Sequence, residues 1–118
     1  VFFAPKPGQK ISVTGSIRAI AAAPRPGSVP YKDHIVALHL TDLEGDPAVP
    51  AHGQALVYAW SMRDHQWTPA ARWLPDQRVA LTLQAWSDVE PQLGAINRAE
   101  IDDESLLLET PCWGEVTP

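Results

Sequence analysis

Apolar and polar side chains alternate along this chain in short stretches cut apart by proline and glycine. That period of two belongs to half-buried strands rather than helices. From Lys10 onward, Ile11, Val13, Gly15, Ile17 and Ala19 alternate with Ser12, Thr14, Ser16 and Arg18, and a glycine inside the run predicts a bulge or sharp bend. Residues 34–42 form a second strand, with Val36, Leu38 and Leu40 on one face and Ile35, Ala37, His39 and Thr41 on the other; both faces are largely apolar, so both should be covered in part. A third strand spans residues 54–61, where Leu56, Tyr58 and Trp60 share one face and Ala55, Val57 and Ala59 the other. Residues 77–86 hold the clearest alternation, Val79, Leu81 and Leu83 against Arg78, Ala80, Thr82 and Gln84. A last short strand is expected at Ser105–Glu109.

The segments between are turn chemistry. Residues 21–31 hold three prolines and a glycine, and residues 43–53 combine Gly, Asp-Pro and Pro. Thr68 followed by Pro69 and two alanines is a helix start, an N-cap with proline at the first helical position, and Pro75 ends it. Residues 87–103 predict at most one helical turn, around Ser87–Gly94, and then an irregular link. Five strands with a short helix between the third and fourth is the element order of the OB-fold, a small Greek-key barrel. A bent first strand suits it, because that strand serves both halves of the barrel; a β-sandwich would want about seven strands. Residues 1–9, with two prolines and a glycine, read as a linker, residues 10–115 as the single OB-like domain, and 116–118 as a tail.

Composition narrows the function. A chain of 118 residues, 45% hydrophobic, can bury a core without staples, and its single cysteine, Cys112, makes no internal disulfide. No apolar run approaches the roughly 18–20 residues that cross a bilayer, so no membrane span is expected. The net charge of −5 is uneven: residues 1–87 carry eight basic and six acidic side chains, residues 88–118 one and eight. Asp102, Asp103 and Glu104 are the densest cluster and read as a solvated face, since the glycine-punctuated spacing of a calcium loop is missing. An acidic domain lacks the Lys/Arg density that neutralises phosphates, which disfavours nucleic acid as partner.

Catalytic signatures are weak. His34, His39, His52 and His65 show no metal-ligand spacing, and neither a metal nor a cofactor is expected. Ser28 lacks a nucleophile elbow. Cys112 sits among acidic neighbours that disfavour a thiolate, and reads as a packing residue. The five tryptophans are the strongest compositional feature. They either fill the core of a small barrel that has only two phenylalanines, or stack on sugar rings. In the second case Tyr58, Trp60 and Trp86 converge on an exposed face, and Arg63, Asn97 and Arg98 supply hydrogen bonds to hydroxyls or acetyl carbonyls. A third reading is a rigid docking or spacer domain, with Arg63 paired to Asp64 and with Trp67 and Trp73 pinning the short helix.

Three stretches carry a resemblance: PRPGSVPYKDHIVALHLTDL (24–43), ALVYAWSMRDHQWTPAARWLPDQRVALTL (55–83) and INRAEIDDESLLLETPCWGE (96–115). Together they resemble a bacterial module that follows the SGNH-hydrolase-like catalytic domain in relatives of the alginate O-acetyltransferases. The similarity runs from about Lys10 to Glu115, and the W-x-M-R-D-x-x-W-T-P-A-A stretch at Trp60–Ala71 is its most specific part. The family's Gly-Asp-Ser and Asp-x-x-His blocks belong to the preceding domain and do not occur here, so no catalytic residue carries over. The resemblance implies a non-catalytic accessory domain of an exopolysaccharide O-acetylation protein in the periplasm or cell envelope. It would assist polysaccharide binding or domain assembly, with an SGNH-like domain before Val1 as its partner in the same chain. The absence of Met and of a signal pattern at Val1 fits an excised piece. The alternatives are a single-stranded nucleic-acid-binding OB module, a purely structural interaction domain and, last, a stand-alone hydrolase.

Overall fold

A computed structural model describes residues 2–117; Val1 and Pro118, which fall in the expected linker and tail, lie outside the described residues. The chain is an all-β, OB-like barrel. Among the described residues its strands are β1 (Ile11–Ile20), β2 (His34–Gly45), β3 (Gly53–Arg63), β4 (Gln66–Trp67), β5 (Arg78–Ala85), β6 (Arg98–Ala99) and β7 (Pro111–Val116), with one α-helix, α1 (Trp86–Leu93). Five of them close a ring in the order β1–β2–β3–β7–β5, back to β1. All the ring pairings are antiparallel except β3–β7, which is parallel. The two-residue strands are annexes: β4 folds back on the end of β3, and β6 lies parallel to β2.

Alternation dictates what fills the ring. Ile11, Val13 and Ile17 of β1 point inward with Val36, Leu38 and Leu40 of β2, Val57 and Ala59 of β3, Leu81 and Leu83 of β5 and Cys112 of β7. Burying a Leu or Ile side chain of this kind contributes about 1.5–3 kcal/mol. The bend expected at Gly15 is present. Thr14 pairs with Glu44 and Ser16 with Thr41, so β2 spends one residue more than β1, and Asp42 takes φ 50°. A Cβ on Gly15 would lie 2.8 Å from Leu43 Cδ2 and 3.3 Å from the Thr41 carbonyl oxygen, so a larger residue would have to push Leu43 aside where the two strands close on each other.

Two expectations are corrected and one is refined. The last barrel strand is Pro111–Val116, not Ser105–Glu109. The Asp103 carboxylate accepts the Ser105 N–H at 2.9 Å and caps a 3-10 turn, Glu104–Leu106, which takes the first leucine out of extended geometry. Pro111 then opens the strand, where a missing N–H is tolerated. The short helix after Thr68 is a 3-10 turn, Pro69–Arg72. The regular helix lies between the fourth and fifth barrel strands instead, because Trp86, Val89 and Leu93 fall at i, i+3 and i+7 and face the sheet together. The stretch read as a linker lies along the barrel: the Phe3 N–H donates to the Gln54 carbonyl at 2.7 Å, and Phe3 and Ala4 pack against the core.

Candidate functional site

The outer faces of β2, β3 and β7 carry a second core. Ile35, Ala37, Leu56, Tyr58, Trp86, Leu106 and Trp113 form one buried cluster, with Trp60, Val89, Leu93, Ile96 and Ile101 against it. The aromatic rings meet at angles: Tyr58 is edge-on to Trp86 at 4.9 Å, and Trp60 edge-on to Trp113 at 5.5 Å, the geometry ring quadrupoles prefer. The cover is the chain's own α1 and the segment that follows it.

Four of the six expected site residues, Tyr58, Trp86, Asn97 and Arg98, gather here, in a different condition from an open stacking face. Tyr58 is 6% exposed and Trp86 9%, so both are packing residues. The Tyr58 hydroxyl donates to Glu100 Oε2 at 2.9 Å; burial first, then this carboxylate, pushes its pKa up to about 12. Arg98 lies over Tyr58 at 4.6 Å and over Trp86 at 5.4 Å, and its Nε donates to the same Glu100 oxygen at 3.1 Å. It acts as a lid on the aromatic layer. Asn97 is exposed and contributes its carbonyl to the Ile35 N–H at 2.9 Å.

Trp60 and Arg63 stand apart, because β3 changes direction beneath them. His34 pairs with Met62 and Ile35 with Trp60, which leaves Ser61 as an extra, bulged residue. Ser61 is fully buried. Its hydroxyl donates to the His34 carbonyl at 3.1 Å and, with its proton so used, accepts from His34 Nδ1 at 2.7 Å. Burial lowers the His34 pKa below 6.5, so the ring stays neutral. This Ser–His contact resembles half of a triad, but both side chains are buried and the serine hydroxyl is tied to backbone, and its work is to hold the bulge. Arg63 pairs with Asp33 at 4.0 Å, not with Asp64, and its guanidinium carbon lies over the Trp60 ring, 4.0 Å from the centroid; Asp33 also accepts the Asp64 N–H at 3.0 Å.

The bulge opens a cleft. β3 and β7 pair only over Leu56–Tyr58 and Pro111–Trp113; beyond that, β7 continues along β5 while β3 swings to β4. A cleft of about 220 Å³ lies between them, walled by Trp60, Arg63, Thr68, Trp73, Glu115 and Val116 with Gly114 among its lining residues. Gly114 is required there, since a Cβ would come 2.6 Å from Val57 Cγ1. The Thr68 hydroxyl donates to the Trp60 carbonyl, and the Trp67 indole donates to the Pro24 carbonyl at 2.7 Å, so the cleft wall is tied at both ends. Two half-buried indoles, one guanidinium, one carboxylate and a hydroxyl thus share one concavity. Apolar faces beside a few polar groups suit a neutral, hydroxyl-rich ligand. The sequence marks Trp73 only as a pin for the short helix and Thr68 only as its N-cap, and does not single out Glu115; the proline-led turn that carries Trp73 is the available signal.

Among the described residues no group of three or more His, Cys, Asp or Glu side chains converges as a metal site, and no helix is long and apolar enough to cross a membrane. Cys112 lies inside the barrel, where burial pushes its thiol pKa up to about 12. Comparisons with family models, with curated proteins and with solved structures find no match for this chain.

Proposed function

We propose that this chain is a non-catalytic accessory domain that binds polysaccharide at the β3–β7 cleft, in the setting of exopolysaccharide O-acetylation in the bacterial periplasm or envelope that the resemblance implies. The observation that carries the binding role is the pairing of half-buried Trp60 and Trp73 in one cleft with Arg63, Thr68 and Glu115. Indole faces match the C–H faces of sugar rings, while the charged and hydroxyl groups offer donors and acceptors to sugar hydroxyls. The nucleic-acid alternative has less support: the strand 2–3 face that OB-folds use for oligonucleotides is taken up by α1 and the segment after it. A docking role for the same region is supported by Leu74, 67% exposed, and Val116, 51% exposed.

The test is titration of neutral and acetylated oligosaccharides, followed by tryptophan fluorescence and amide shifts. The expected result is saturable binding that is insensitive to salt and weakened about tenfold, ~1.4 kcal/mol, by Trp60→Ala. No saturable change in the unmodified protein would leave the docking role, and a steep salt dependence would favour nucleic acid.

A further inference from the structure

The segment between β6 and β7 turns leucines outward. Leu106 is buried in the outer core, but the next two are 76% and 97% exposed, Leu107 and Leu108. Single exposed leucines are ordinary on protein surfaces; these two are not isolated. Leu107 sits on the lip of a groove of about 260 Å³ whose floor is Leu56, Tyr58, Ile101 and Leu106, so the exposed apolar strip continues into the aromatic layer. Such continuity marks interaction surfaces.

Charge says what covers it. Asp103 and Glu109 line the same groove, with Asp102 and Glu104 exposed beside them. The side chain and N–H of Ser105 hydrogen-bond the Asp103 carboxylate and hold its pKa below the ordinary range, with smaller help from His39 and Arg18, so it is ionised at neutral pH. Arg98, the one basic residue from 88 to 118, is engaged by Glu100 and by the Tyr58 and Trp86 rings. An apolar strip inside a negative rim repels anionic lipid, nucleic acid and acidic peptides, and complements a surface of apolar and cationic side chains. We propose that this groove, with Leu107 on its lip and the exposed Leu108 next to it in the chain, docks a basic amphipathic segment of a partner protein. The partner's apolar side chains cover the leucines and enter the groove, and its Lys or Arg side chains meet Asp102, Asp103, Glu104 and Glu109. The groove shares no lining residue with the β3–β7 cleft, so the inference stands or falls independently of saccharide binding.

The experiment titrates the full chain with a synthetic amphipathic peptide that places leucines on one helical face and lysines on the other. Controls are a peptide of the same composition with the pattern scrambled, and vesicles of phosphatidylcholine with phosphatidylglycerol. Amide shifts at Leu106–Thr110 and Tyr58, affinity falling with added salt, and a tenfold or greater loss in the L107S/L108S variant are expected. Both leucines are exposed, so the variant folds, which its unchanged amide spectrum elsewhere verifies. Equal binding of the scrambled peptide, or binding unaffected by L107S/L108S, would overturn the proposal as mere charge attraction. Leucine-dependent binding to the vesicles without binding to the patterned peptide would overturn it in favour of a membrane surface.

Discussion

The inside of the barrel and its outer aromatic layer are built from the same strands by opposite means. Inside, aliphatic side chains and Cys112 fill a space set by strand curvature; outside, Tyr58, Trp86 and Trp113 fill a gap between sheet and helix. On β3 the two alternate residue by residue, Ala55, Val57 and Ala59 inward and Leu56, Tyr58 and Trp60 outward. A run of aromatics on one strand face is therefore a second core when a segment elsewhere in the chain covers it. Of the two aromatics in the run, Tyr58 is buried, and Trp60, at the end where the cover thins, stays half-buried.

The largest effect that would break this comparison is at Trp113, 1% exposed. Trp113→Ala should cost about 3–5 kcal/mol in urea unfolding, as for a large core residue; a small loss would mean that the outer layer is an open face after all. Next comes the bulge that separates the covered part of β3 from its open end. Ser61→Ala leaves the His34 Nδ1–H buried without an acceptor and should cost about 1–3 kcal/mol. The same site sets a pH dependence. Because burial lowers the folded His34 pKa beneath 6.5, the unfolded chain binds the extra proton first, so stability is full above about pH 6.5 and declines as pH falls toward the folded value. In a series of urea midpoints against pH, His34→Gln should flatten that decline. The smallest effect sharpens the comparison: Trp60→Ala should cost only about 1 kcal/mol, mainly its edge contact with Trp113, while removing most of any ligand-induced fluorescence change.

Much of the ring was legible because its signal is local. β1 and β5 alternate strictly, and the prolines of residues 21–31 and 43–53 mark the turns. The position of the last strand was not, since Ser105–Glu109 and Pro111–Val116 have similar propensity and the choice rests on the Asp103 cap, which stops extension early. The site was half legible. Residue types and faces pointed to Tyr58, Trp60, Trp86 and the arginines, but whether an aromatic is open or covered depends on where residues 86–110 fold back. That return is a tertiary event with no local period. Trp73 joins Trp60 for the same reason: the divergence of β3 from β7 brings them together, and that divergence follows from a bulge held by a histidine 27 residues away.

β7 pairs with β3 on one side and β5 on the other, and this has a consequence for the order of synthesis. Until Val116 has been made, β3 and β5 each keep an open edge, and everything before Pro111 is an unclosed sheet. Joining β7 to β3 pairs residues more than fifty positions apart, a slow kind of contact to form, and open edges in the interval invite pairing with other chains. A released chain cut short before Pro111 would therefore keep both edges open, and the six residues of β7 are what close the sheet into a barrel.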